Sequence, residues 1–327
     1  MRAVIRTLSL LGLILAFQGC GPSEREDAGF RVALLTPGSI RDAGWNQSAY
    51  EGLLRIQDEL GAEVAHQVTR TPQEFEAGFR DFAARGFDLI FGHGFEFQDA
   101  AARVAAEQPG TVFVTTSGST IRPNLAPIVF ELEQATYVLG YLGARLSAKG
   151  RVAAVGGVKV PSVASTFEAF EAGARRARAE VETSISYLGS WTDVAAAREA
   201  TLAQIAAGAD VLIHNANEAA HGFFEAVRDS PGVLAFGTNR NQNALAPDAV
   251  LASATIRIPE ALLQVAREVA AGRFEARSIR FGLKSGVIGI EWNESLRSRI
   301  PEPLWLEVGW LLESIERGEL EVPRGGF

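Results

Sequence analysis

The sequence predicts an α/β protein of two similar lobes, each a parallel sheet covered by helices on both faces. Three observations predict it. From Arg31 onward, short aliphatic runs alternate with amphipathic helical stretches, the pattern of successive βα units. The chain also contains a copy of itself. Arg31-Val32-Ala33-Leu34-Leu35 returns as Arg151-Val152-Ala153-Ala154-Val155, and Gly86-Phe87-Asp88-Leu89-Ile90 as Gly208-Ala209-Asp210-Val211-Leu212. Gly86 precedes Pro109 by the same number of positions as Gly208 precedes Pro231, so one βαβ unit recurs with equal helix length. Finally, 327 residues with 47% apolar and 21% charged side chains suffice for two cores.

The elements follow in order. Arg2 and Arg6 precede an apolar run, Leu8 to Phe17, that is too short for the ~20 residues a bilayer core requires. Phe17-Gln18-Gly19-Cys20 comes next, so residues 1–19 read as a cleavable signal peptide. A small residue before the only cysteine resembles a bacterial lipobox, with Phe17 where that motif usually has Leu. This implies a diacylglycerol on Cys20; the alternative is an ordinary signal peptide with an incidental cysteine. Residues 20–30 are polar and unpatterned, a tether.

Strands are predicted at Arg31–Thr36, Glu63–Val68, Asp88–Gly92 and Thr111–Thr115, with helices near Ala49–Leu60, Pro72–Arg85 and Gln98–Gln108. Thr71-Pro72-Gln73-Glu74 forms a capping box that sets the start of the second helix. The second series of strands runs through Arg151–Gly156, Glu182–Tyr187, Asp210–Asn215 and Val233–Thr238. Crossovers near Phe130–Glu133, Thr255–Pro259 and Ile279–Phe281 would make a three-segment hinge. They divide the chain into an N-terminal lobe of 31–130 plus 257–278 and a C-terminal lobe of 131–256 plus 279–327.

Composition excludes several functions. Thirty-one Lys and Arg against 39 Asp and Glu leave a formal charge of −8, which repels phosphate backbones, so no nucleic-acid partner is expected. One cysteine rules out a disulfide framework, a cysteine zinc site and an iron–sulfur cluster. No dinucleotide fingerprint follows a strand, and neither a phosphate loop nor a Gly-x-Ser-x-Gly elbow occurs. His214, Glu218 and His221 do not have metalloprotease spacing; a helix would set the imidazoles about two turns apart. They read as cleft-lining or surface residues. No cofactor, metal or catalytic activity is expected.

Ligands of open parallel sheets bind outside the carboxyl ends of the strands, so the loops there are where chemistry is expected. The loop after the first strand offers the Asp42 carboxylate, the Asn46 amide and the Trp45 ring within one turn, a mix suited to a polar planar ligand. Trp45 reads equally as a hydrophobic plug, and Asn46 as a helix cap.

Asp42-Ala43-Gly44-Trp45-Asn46-Gln47, after a Val-Ala-Leu-Leu-Thr strand, resembles the Asp-x-x-Phe-Asn signature of the basic membrane protein family, nucleoside-receptor lipoproteins that serve ABC importers. Phe130 to Leu142, Val155-Gly156-Gly157, Phe167 to Gly173 and Phe236 to Gln242 are similar to that family's motifs in the same order. The resemblance implies a type I periplasmic-binding-protein fold and a monomer that captures a purine nucleoside or nucleobase for an ABC permease, lipid-anchored at the cell envelope. Two residues depart from the family. Asn239 aligns with its ribose-gripping aspartate, and Arg257 with the lysine after the next strand. Carried over, the family's site puts Trp45 on one face of the base and Phe223 or Phe224 on the other. Asp42 and Asn46 would meet polar edges, Asn239, Asn241 and Arg257 would hold the sugar side, and His93 would line the mouth. For Arg257 a surface ion pair is the alternative. A sugar or signalling-molecule receptor, or a sensor subunit for a membrane kinase, are the competing readings.

Overall fold

A computed structural model describes residues 29–42 and 44–325. The predicted signal peptide and the lipidation site at Cys20 lie outside the described residues. Among those described, no helix is long and apolar enough to cross a membrane.

The chain runs β1 (Arg31–Thr36), α1 (Trp45–Leu60), β2 (Glu63–Val68), α2 (Pro72–Ala84), β3 (Leu89–Gly92), α3 (Gln98–Glu107), β4 (Val112–Thr116) and β5 (Leu125–Phe130). It continues with α4 (Glu133–Leu146), β6 (Arg151–Gly156), α5 (Pro161–Ala177), β7 (Glu182–Tyr187), α6 (Val194–Ala206), β8 (Val211–Asn215), α7 (Ala220–Arg228), β9 (Leu234–Asn239) and β10 (Val250–Ile256). Then come α8 (Ile258–Ala270), β11 (Ile279–Phe281), β12 (Ile288–Trp292) and α9 (Glu302–Glu316).

These strands form two six-stranded sheets, β11-β5-β4-β3-β1-β2 and β12-β10-β9-β8-β6-β7. The first is parallel throughout. The second is parallel except for β12, which runs antiparallel along β10. Leaving aside the outer strands β11 and β12, the order is the same in both sheets, as the internal copy predicts. The copies agree down to side chains. Arg31 pairs in register with Glu63 and forms an ion pair with it; Arg151 pairs with Glu182 in the same way. Each arginine also donates to a carbonyl just before a left-handed glycine: Arg31 to Arg85 before Gly86, Arg151 to Ala207 before Gly208.

The capping box is present: Glu74 N donates to Thr71 Oγ1 at 3.3 Å, and the Glu74 carboxylate accepts from Thr71 N. Helices pack through glycines. A Cβ on Gly140 of α4 would overlap the Phe170 carbonyl oxygen of α5, and one on Gly173 of α5 would overlap the Tyr137 carbonyl of α4. Only hydrogen at these two positions lets the helices meet backbone to backbone.

The chain passes between the sheets three times, after β5, after β10 and after β11. The first two passages fall where the sequence predicts. The third falls later: Ile279 to Phe281 is not a crossover but an edge strand of the first sheet, paired with Ile128 to Phe130. Its residues Ile279 and Phe281 are buried there, which anchors the strand before the chain crosses.

Candidate functional site

Between the sheets, outside the carboxyl ends of their strands, lies a cleft of about 630 Å³, part of it open to solvent. The first sheet contributes Pro37 after β1, Trp45 at the head of α1, Gly94, Phe95 and Glu96 after β3, and Ser117 after β4. The second contributes Ser162 and Thr166 from the start of α5, Trp191 after β7, Asn215 and Asn217 after β8, and Asn239 at the end of β9. Phe130, Leu132 and Ile256, at the first two crossings, line it as well.

Trp45 is half-buried and backed by His93: their rings stack at 4.2 Å with 22° between planes, and Phe130 meets the indole edge-on at 6.0 Å. His93 itself is fully buried, behind the wall rather than at the cleft mouth where the sequence predicted it. Burial pushes its pKa down to about 3, only partly offset by its contact with Trp45. The ring is therefore neutral. Its Nε2 lies 3.1 Å from the Trp45 carbonyl oxygen, which can only accept, so Nε2 carries the proton and Nδ1 accepts from Thr116 Oγ1 at 3.1 Å.

The other predicted residues divide. Asn239 lines the cleft, and its Nδ2 donates to Asn215 Oδ1 at 3.2 Å. Asp42 does not line it: its carboxylate accepts from the amides of Gly44, Asn46 and Gln47 at 3.0, 2.9 and 3.0 Å, closing the first turn of α1. Asn46 is buried beneath that loop with Oδ1 lacking a hydrogen-bond partner. Asn241 is exposed and closes a turn by accepting from Asn243 N. Arg257 is exposed at the start of α8, where its amide donates to the Val287 carbonyl at 2.7 Å. The expectation that one of Phe223 and Phe224 faces the ligand is not met. Both are buried in the core, 5.3 Å apart and each 4.9 Å from the His214 ring. The reason is that α7 is covered on two sides, by its sheet and by α6, which Gly222 lets approach closely.

His214, expected to line the cleft or the surface, is in neither place. It is buried, donates from Nε2 to Gln242 Oε1 at 2.9 Å, and is held near a pKa of about 4 by desolvation. Among the described residues no cluster of His, Cys, Asp or Glu could hold a metal.

Sequence reasoning missed Trp191, Phe95, Glu96, Asn215, Asn217 and Ser117. The internal copy held the signal for two of them, Asn215 and Ser117, the counterparts of the predicted His93 and Asn239. Counted from Gly86 and Gly208, His93 corresponds to Asn215, Phe95 to Asn217 and Ser117 to Asn239. Backbone strain points to the same places. Among the described residues, the non-glycine positions with positive φ are Ser117 (59°), Asn217 (46°) and Asn239 (69°), and all three line the cleft. Such strain concentrates at binding and catalytic sites.

The comparisons with known proteins agree with this geometry. Residues 30–304 match the Bmp family, described as ABC transporter substrate-binding protein PnrA-like. Basic membrane protein A2 of Borrelia garinii subsp. bavariensis is 26% identical over 97% of this chain and 95% of its own. Basic membrane protein A of Borreliella burgdorferi is 27% identical over 90% and 87%. Among solved structures, an ABC transporter solute-binding protein from Aeropyrum pernix superposes with a TM-score of 0.82 at 21% identity, covering 91% of this chain and 94% of that one. One from Conexibacter woesei does so with a TM-score of 0.71 at 26% identity, covering 90% and 99%. Two repeated lobes around an interdomain cleft, on a chain that matches from residue 30 to 304, fit a ligand-binding protein, and the chain belongs to the Bmp family of PnrA-like ABC transporter substrate-binding proteins.

Proposed function

We propose that this protein captures a purine nucleoside or nucleobase in the cleft and delivers it to its ABC permease from the outer side of the membrane, where a lipid on Cys20 holds it. The family carries the coarser part: a substrate-binding protein has a small-molecule ligand and a permease partner, and acts on the periplasmic or extracellular face. The observation that carries the finer part is the Trp45 indole, stacked on a neutral buried histidine and lining the cleft. A ring backed in this way is fixed in orientation and can offer its other face to a base. Trp191 supplies an aromatic surface from the second lobe. It takes the place expected for Phe223, and the missing side chain of Gly157 lets it lie close to the second sheet. Around these rings the polar groups are amides and hydroxyls, Asn215, Asn217, Asn239, Ser117, Ser162 and Thr166, which suit hydroxyls and ring nitrogens.

The test is mass spectrometry of small molecules released from the purified protein, followed by calorimetry with purine nucleosides on the native protein and Trp45→Ala. Base stacking contributes roughly 1–3 kcal/mol per ring, so the variant should bind about one to two orders of magnitude more weakly. Unchanged affinity with a lowered melting temperature would make Trp45 a core plug and remove the support for a nucleobase. For the anchor, Cys20→Ser should leave the membrane fraction while the domain still folds; retention there would refute lipidation.

A further inference from the structure

Among the described residues, the cleft has one ionisable side chain in its wall. Those that line it include the carboxylate of Glu96 and no lysine, arginine or histidine. Glu96 belongs to the short turn after β3, next to Phe95, and its carboxyl group folds back over Gly94. A Cβ on Gly94 would lie 2.8 Å from Glu96 Cδ, and the backbone there has φ 152°, so only glycine admits this placement. By accessible area Glu96 is exposed, yet that area faces the cleft, and the surrounding walls desolvate the carboxyl and push its pKa up. The one effect that opposes this comes from its own backbone amide, not from a nearby cation. The matching position of the second lobe, Glu218, does not line the cleft, so nothing there repeats or balances the charge.

We propose that Glu96 is a specificity determinant of this cleft, admitting ligands that bring a positive charge or a hydrogen-bond donor to the Phe95–Glu96 corner and rejecting anionic ones. A desolvated carboxylate can only accept. A donor or cation satisfies it, whereas a phosphate or carboxylate would share the cavity with a like charge and find no cationic side chain in the wall. This deepens the nucleoside reading and rests on it: the ligand class becomes neutral or cationic nucleosides with a donor edge, not their phosphorylated forms.

The experiment is calorimetry on the native protein and Glu96→Gln, which keeps the shape and removes the charge, with three probes: 1-methyladenosine as a cationic nucleoside, adenosine as a neutral one, and adenosine 5′-monophosphate as an anion. The native protein should bind the monophosphate at least tenfold more weakly than adenosine. The substitution should weaken the cation by tenfold or more, adenosine less, and strengthen the monophosphate. Salt should reduce the native affinity for the cation and spare that for adenosine. Equal effects on all three probes, or native preference for the monophosphate, would overturn the proposal. If neither protein binds any nucleoside, the nucleoside reading fails on its own. Charge selection is then judged on the molecule that co-purifies with the native protein: a neutral or cationic one upholds it and an anion overturns it.

Discussion

His93 shows how one side chain can serve both the stability of the fold and the shape of the site. Held neutral by burial, it spaces the Trp45 ring and ties β3 to β4 through Thr116. Its folded pKa, near 3, lies below the ordinary value of 6.5. The unfolded chain therefore binds a proton that the folded one does not, and stability is complete above pH 6.5 and lost as pH falls toward 3, by about 1.4 kcal/mol per unit. Glu133 has the opposite sign. Buried at the start of α4, with one oxygen accepting from Ser165 at 2.6 Å, its carboxyl is pushed up to about 7. Its contribution is complete below pH 4.5 and is lost as pH rises through 7. Denaturant titrations at pH 7 and pH 5 should show His93→Gln losing less stability on acidification than the native protein. Parallel curves would mean that His93 is not held neutral.

At the level of elements, the contact between α4 and α5 stabilises the second lobe next to the cleft, since the first two turns of α5 carry Ser162 and Thr166. Gly140 and Gly173 sit against each other's helix backbone, and neither helix can yield without moving the sheet beneath it. Gly140→Ala should destabilise the protein by about 2 kcal/mol or more, an overpacking cost read as a melting temperature several degrees lower. An unchanged melting temperature would show that the helices can separate freely. The capping box on α2 illustrates a different case: its stabilisation is local, needing only Thr71, Pro72 and Glu74.

On the scale of the whole molecule, a contact away from the crossings ties the two lobes together. Glu51 on α1 accepts from Gln47 at 3.0 Å and from Arg240, in the loop after β9, at 3.2 Å. This ion pair joins the two lobes, and separating them would break it. Both side chains are partly exposed, so it contributes no more than about 1 kcal/mol, and Arg240→Gln should weaken ligand binding by at most about fivefold. The same variant should show a larger radius of gyration without ligand, because the balance moves toward open lobes. Scattering with and without ligand measures this. A radius unaffected by both ligand and variant would indicate a rigid cleft.

The sequence by itself determined what depends on neighbours along the chain. The bounds of β1, β2, β6 and β7, the cap of α2 and the duplication are all present as patterns of a few residues, because strand alternation, capping and repeats are local properties. Only the tertiary structure decided which side chains line the cleft. Phe223 looked like one wall of the site, yet α7 is covered on two faces, so both of its phenylalanines turned inward. Asp42 carried the family's signature, but its carboxylate met three amides of its own loop. Trp191 and Glu96 lie in stretches with no motif of their own and became wall residues through glycines at Gly157 and Gly94 that leave room for them. A short segment such as Ile279–Phe281 reads as a linker until the edge of β5 supplies its hydrogen-bond partners. Pairing, covering and close approach are relations between distant segments, and folding the chain in three dimensions is what establishes them.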